Sequence, residues 1–339
     1  MTTSTVIPSQ PAPGTAVPEP RVVVAPVGIG DRIFRIGAAL SGAAVMAVMV
    51  AVGLFLTIEA VDALRTSGVS FLTTQEWQPD RGEFGVAALI PFTVMIAIIA
   101  VVVAVPVSIG TSLFITEVVP PGARSWIVAM VDLMAAVPSV VYGLWGLFLL
   151  QGHVVGLSRW LTVWFSWVPF FAVDGDNPTS PLGSASSYTA STFVAGIVVS
   201  MMVVPIATSI MREVFSQVPS TEREGAFALG STRWGMIRVV ALPFGRAGII
   251  GGTMLGLGRA LGETIAVYLI ISPRFDITSH VLEAGTNSVS AHIALQAPEA
   301  SGFGLSALMA AGLVLFAMTI VVNFIASAFV ASSRSGSSS

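Results

Sequence analysis

Arg259 and Glu263, in LGLGRALGETIAV, lie near the middle of an apolar run, about 247–271, that is long enough to cross a bilayer. An ionisable group at that depth costs about 2.5–3.5 kcal/mol on insertion scales, so something must compensate it. Four residues apart, the two are expected on one helical face. They could neutralise each other and merely join helices. Alternatively, Arg259 faces a translocation path, where its planar guanidinium can grip two oxygens of a tetrahedral oxyanion, while Glu263 orients it and eases release. A second membrane carboxylate, Asp132, opens the run at about 126–150, ahead of Pro138, Ser139 and Tyr142. Pro138 removes a backbone donor and frees a carbonyl, and Ser139 and Tyr142 can supply polar contacts at that break. A plain proline kink would account for the same residues.

The other chemically marked stretch is Arg223 to Pro243, REGAFALGSTRWGMIRVVALP. Ser220 and Thr221, followed by Glu222 and Glu224, supply the oxygens and early carboxylates that favour a helix start. Gly230 ends or bends that helix, and a second short helix is expected from Thr232 to Val240, before Pro243. The arginines are interleaved with Phe227, Leu229, Trp234, Met236 and Ile237. That mixture suits a partner's groove better than a solvated connector does.

These two stretches need a scaffold, and composition says which kind. Of the 339 residues, 54% are hydrophobic and only 10% charged, with a mean hydropathy of +0.88, far from the roughly 25% charged of an ordinary globular domain. An all-α integral membrane protein follows. Runs at about 33–58, 86–112, 126–150, 189–215, 247–271 and 303–331 each reach the ~20 residues needed to span the hydrocarbon. Six spans place both termini on one side. Trp160 to Val173 is too short to span, and reads as a helix lying on the membrane surface. Residues 1–30, rich in proline, are expected to be a disordered tail, as are 333–339, with the membrane domain at 31–332 and its polar loop at about 216–246. Arginine is concentrated on the side of the termini and of that loop, so both are expected to be cytoplasmic. The opposite loops, 59–85, 151–188 and 272–302, are acidic and long enough to dock a carrier protein that delivers an anionic cargo.

Composition also excludes. All 15 basic residues are arginine, and a Walker A loop needs a lysine to reach nucleotide phosphates. Any ATP is therefore expected to be hydrolysed, with Mg, on another subunit, and no cofactor is expected on this chain. Without cysteine there is no disulfide or thiol nucleophile. His153, His280 and His292 are not at metal-ligand spacing, so no metal and no enzymatic centre are expected. A net charge of -3 gives no reason to expect nucleic acid.

Glu224-x-Ala226, three residues, Gly230, nine residues, then Val240-x-Leu242-Pro243 resembles the EAA loop of ABC importer permeases, with Gly225 and Val240 replacing an alanine and an isoleucine. The resemblance implies a type I importer permease fold and a coupling helix seated in the cleft of a cytoplasmic ATPase. Phe227 and Trp234 would anchor it, and Arg223 and Arg233 would set charge complementarity. AAVPSVVYGLWGLF, LGLGRALGETIAV and the segment Phe71 to Trp77 are similar to the PstC-type permeases of bacterial phosphate importers, over about Asp31 to Ala331. That similarity implies inward transport of inorganic phosphate across the bacterial inner or plasma membrane. It implies a second, PstA-type permease forming a heterodimer, a PstB-type ATPase dimer and an extracytoplasmic PstS-type binding protein. Residues matching Arg259 and Glu263 are tied to phosphate passage in that family. Transport of another oxyanion such as molybdate or sulfate, and an ion-driven carrier needing no ATPase, are the competing readings.

Overall fold

The computed structural model describes residues 28–173 and 185–335. Most of the expected N-terminal tail (1–27) and residues 336–339 lie outside that range. Two compact units are present, Met1–Val52 and Gly53–Ser339. Helix α1 (Ile29–Glu59) runs through the boundary, with none of its residues buried. The rest of the second unit is nearly all helical: α2 (Val61–Ser67), α3 (Leu89–Leu113), α4 (Pro121–Ala136), α5 (Ser139–Trp145), α6 (Gln151–Phe165), α7 (Thr192–Ser216), α8 (Ser220–Ala228), α9 (Arg233–Met236), α10 (Leu242–Phe244), α11 (Arg246–Gly262), α12 (Ile265–Ile270), α13 (Val289–Gln296) and α14 (Phe303–Ser335). Among the described residues five helical stretches are long and apolar enough to cross a membrane, or six if the bent pair Arg233–Phe244 and Arg246–Gly262 counts as one.

The core forms where α3, α7 and α11 pack together. Ala97, Ala100 and Ala104 of α3 face Ala195, Val199, Val203 and Ala207 of α7, all buried, and the Ser108 hydroxyl donates to the Val204 carbonyl across the seam at 3.1 Å. Small side chains let helix backbones approach where no hydrophobic effect drives them together. The glycines of α11, at four-residue steps, do the same against α7. A β-carbon on Gly248 would meet Val214 at 2.6 Å and one on Gly256 would meet Val203 at 2.6 Å.

Two expected spans are cut differently. The run at 126–150 is not one helix: α4 ends at Ala136, and Val137 and Pro138 are extended, with ψ 129° and 142°. Proline lacks the N–H and forces its predecessor out of the helical region. From Ser139 the chain coils through a π-turn at Gly146–Leu150 into α6, giving 27 helical residues to Phe165 that can cross the membrane. That helix takes in His153 and the residues Trp160 and Trp164, which were expected in an outer loop and a separate surface helix. The run at 247–271 also breaks, between α11 and α12, at Glu263 and Thr264.

Between α1 and α3, and again before α14, the chain builds a small cap. Strands β1 (Trp77–Gln78) and β2 (Glu83–Phe84) pair antiparallel, Trp77 opposite Phe84, and Phe71, Phe84, Leu89, Val289 and Ala307 close its core. His292 of α13 is buried there, edge-on to Trp77 at 4.4 Å, with neither ring nitrogen hydrogen-bonded. Burial pushes its pKa down to about 4 because an apolar surrounding disfavours the charged ring.

Candidate functional site

Arg259 occupies the last turn of α11, and the helix stops three residues later. Glu263 follows the last helical residue with φ −66° and ψ 124°, so the chain leaves the helix there. Its carboxylate Oε1 accepts the Ala266 backbone N–H at 3.3 Å at the start of α12, and its carbonyl oxygen accepts the Ser290 hydroxyl of α13 at 2.7 Å. Only 8% of Glu263 is exposed. The mutually neutralising pair is not formed: Arg259 and Glu263 are absent from the ion pairs among the described residues. Arg259 Nε is buried without a hydrogen-bond partner.

Ser139 is brought to this break by close packing of α5 on α12. A β-carbon on Gly143 would lie 2.9 Å from Ala266 Cα, so glycine is what allows the approach. Ser139, Arg259, Glu263 and Thr264 then line an open cavity of about 410 Å³, walled by Gly258, Gly262 and Ile265. Three residues singled out by sequence thus meet. The other two do not join them. The Tyr142 hydroxyl donates to the Met134 carbonyl at 2.9 Å, tying α5 back to α4 across the proline break, and its ring lines a separate apolar cavity. Asp132, exposed on α4, accepts the Ser209 hydroxyl of α7 at 2.9 Å. It lines neither cavity that Arg259 borders.

The second of those cavities, about 610 Å³, lies on the side of Arg259 that leads back toward Arg246, and α14 closes it with Asn323 and Ser327. Sequence reasoning missed Thr264, Asn323 and Ser327. An asparagine inside the apolar run 303–331 was a readable signal, since hydrocarbon tolerates a side-chain amide only with a partner.

The polar loop forms the helical hairpin that its spacing implies. Gly230 ends α8 with φ +82°, a left-handed conformation that glycine adopts without steric cost. The Thr232 hydroxyl accepts the Gly235 N–H at 3.1 Å and caps α9, which supplies one of the orphan donors of a first turn with a partner. Ser220 makes no side-chain cap, because the residue before α8 is Pro219. The second helix also runs further than expected, through a π-turn at Ile237–Ala241 and past Pro243 to Phe244. It then bends by 66° into α11.

Two expectations about the hairpin surface are corrected. Met236 and Ile237 point inward and are buried with Phe215 and Ala241. Arg223, its side chain 25% exposed, is engaged within the chain: its Nη2 lies 3.1 Å from Oε1 of Glu117, in the π-turn Phe114–Val118 that follows α3, and donates to the Phe215 carbonyl at 2.9 Å. Ala226 and Leu242 pack half-buried on the core. Phe227, Trp234 and Leu229 remain exposed, at 43%, 66% and 90%, together with Glu224, Arg233 and Pro243. A β-carbon on Gly225 would meet nothing within 4 Å, so its departure from alanine has no steric origin.

Residues 108–335 match the family of binding-protein-dependent transport system inner membrane components. The phosphate transport system permease protein PstC 2 of Mycobacterium tuberculosis is 37% identical over 315 residues, which cover 92% of this chain and 95% of the relative. PstC of Pasteurella multocida is 39% identical over 265 residues, 77% of this chain and 79% of its own. Among solved structures, a bacterial ABC transporter involved in import of the acidic polysaccharide alginate covers 88% of this chain and 98% of its own. It does so with a TM-score of 0.51 at 16% identity, a likeness of fold.

Proposed function

Because the chain belongs to the binding-protein-dependent transport system inner membrane components, and among them to the PstC permeases, we propose that it forms one half of a channel that carries inorganic phosphate into the cytoplasm. The observation that carries the reading is Arg259: a guanidinium within a spanning segment, its Nε buried and unpartnered, at the wall of a cavity shared with Ser139, Glu263 and Thr264. An uncompensated cation at that depth is costly unless an anion or water completes its shell. A fork of N–H donors suits the oxygens of phosphate. Glu263 uses Oε1 to hold the start of α12, so its other oxygen can accept the proton that phosphate keeps at neutral pH and sulfate does not. That difference is the basis proposed for choosing between the two oxyanions.

Energy enters from outside the chain. The sequence has no lysine to build a Walker A loop, and the exposed group Phe227, Leu229 and Trp234 with Arg233 beside it is an apolar and basic surface. In this reading that surface seats in a PstB-type ATPase dimer, which binds ATP and Mg. A PstA-type permease completes the channel, and a PstS-type binding protein delivers phosphate to the cap. The termini and the hairpin are then cytoplasmic.

The test is uptake of radiolabelled phosphate by membrane vesicles containing the assembled transporter, with sulfate as competitor. Arg259→Gln removes a charge-assisted contact worth about 1.5–3 kcal/mol, and uptake at low phosphate should fall roughly tenfold to a hundredfold. Unchanged uptake in that variant removes Arg259 from the path. Equal competition by sulfate removes the assignment of phosphate.

A further inference from the structure

Arg259 borders two cavities that differ in charge. The one shared with Ser139 also contains the Glu263 carboxylate. The one shared with α14 contains no acidic side chain: its polar groups are Arg259, Asn323 and Ser327, and the rest of its wall is glycine and aliphatic. A positive group beside neutral donors, with no carboxylate to repel an anion, is the more favourable of the two environments for a negative ion.

Asn323 is the second observation. It is exposed on α14, flanked by Val321, Val322, Phe324 and Ile325, where a side-chain amide facing lipid would be left without hydrogen bonds. It instead faces α11. Its Oδ1 and Nδ2 lie 3.6 and 3.9 Å from the point where a β-carbon on Gly258 would stand, one residue from Arg259. Glycine at 251 and 258 keeps this wall bare, and a β-carbon on Gly251 would meet nothing within 4 Å. The Ser327 hydroxyl donates to the Asn323 carbonyl at 2.8 Å, which occupies its proton and leaves its oxygen as an acceptor. The Asn323 amide supplies N–H donors, and Ser327 supplies an acceptor for a P–OH group.

We infer that Arg259, Asn323 and Ser327 form a second oxyanion subsite, reached when the Arg259 guanidinium turns from the Glu263 side of α11 to the α14 side. The inference rests on the reading of the chain as a phosphate permease. In that orientation the subsite lies on the cytoplasmic side of Arg259. The anion exchanges the neighbourhood of a carboxylate for that of an amide without leaving the same cation. Arg259 thereby acts as a relay between two positions, and the second position is the one from which phosphate is released.

The absence of cysteine from the chain makes a direct test available. Gly251→Cys and Met254→Cys, at two wall positions that supply no ligand, are introduced separately, the transporter is assembled with its partners in inside-out vesicles, and a charged, membrane-impermeant thiol reagent is added. Labelling is read as a mass shift on this chain. Both cysteines should label, and phosphate at about ten times its dissociation constant should slow labelling about tenfold by occupancy. Sulfate at the same concentration should not slow it. Ser216→Cys, exposed at the end of α7 on the hairpin side, is the control, and phosphate should leave its labelling rate unchanged. Failure of both cysteines to label, or labelling at one rate with and without phosphate, overturns the subsite. If Met254→Cys does not assemble, Gly251→Cys yields the same two outcomes. Phosphate uptake by unsubstituted vesicles is measured in parallel. Its absence sinks the transport reading itself, whereas normal uptake without protection sinks only the subsite.

Discussion

In the hairpin at 220–244 Arg223 meets a glutamate from another part of the chain, and at the helix break at 259–266 Arg259 shares a cavity wall with Glu263; the two arginines are used in opposite ways. In the hairpin, Arg223 is paired with the buried Glu117 and with a carbonyl, so its charge is structural and its neighbours Phe227, Leu229 and Trp234 are left to make contact outside. In the break, Glu263 is bound to backbone at the start of α12 and Arg259 has a buried nitrogen with no partner. Sequence proximity suggested a pair at 259 and 263 and a free arginine at 223. The structure has the reverse.

That contrast can be broken by removing one member of each set. The largest effect is expected from Glu117→Ala, which strands Arg223. Loss of one partner of a buried pair costs about 3–5 kcal/mol, and the partial exposure of Arg223 puts this case at the lower end. The thermal midpoint of the assembled complex should drop, and the reversed pair Glu117→Arg with Arg223→Glu should recover part of the loss. No loss in the single variant would mean that the pair contributes nothing. Next is Glu263, where two substitutions separate its roles. Glu263→Ala should cost about 0.5–2 kcal/mol, the range for a lost helix cap. Glu263→Gln keeps an acceptor for the Ala266 N–H and should retain stability while losing preference for phosphate over sulfate in competition uptake. If Glu263→Gln keeps both its stability and its preference for phosphate, the carboxylate is only a cap.

Smaller effects test the hairpin alone. Gly230→Val forces a β-branched residue into a left-handed conformation at about 1–2 kcal/mol. Uptake should fall while the protein stays in the membrane, and ATP hydrolysis should no longer respond to the binding protein. Normal coupling would show that the turn need not keep its present geometry. Gly225→Ala should do the opposite, adding about 1 kcal/mol of helix propensity with transport unchanged. A fall in stability there would reveal a contact that the open space around Gly225 does not suggest.

How much was legible follows from how local each feature is. The hairpin could be read because its determinants lie within a few residues of one another: Gly230 for the turn, Thr232 for the cap, and apolar residues at helical spacing. The glycine stripe of α11 was readable as a packing face for the same reason. The break at Glu263 was not, because it depends on Ser290, 27 residues away, and on the closeness of α5 to α12 that Gly143 allows. Pro138 was seen as a kink, yet its effect was larger: it ended one helix and began the spanning one, which moved Trp160 and Trp164 into that span. Which of Phe227, Trp234, Met236 and Ile237 face outward could not be decided by spacing, because they lie on two short helices separated by the turn at Gly230.

The 66° bend between Phe244 and Arg246 has a mechanical consequence. Gly245 at the elbow lies against the Phe215 ring so closely that a β-carbon would overlap it, which leaves a defined pivot with no slack. Arg259 stands about 20 Å from that pivot along α11 at 1.5 Å per residue. A tilt of about 10° about Gly245 would therefore carry the guanidinium about 3.5 Å, roughly the distance from one hydrogen-bonding position to the next. The hairpin and the arginine are the two ends of one crank. In the proposed transporter, a small stroke delivered on the short arm would be enough to exchange one set of ligands for another on the long arm.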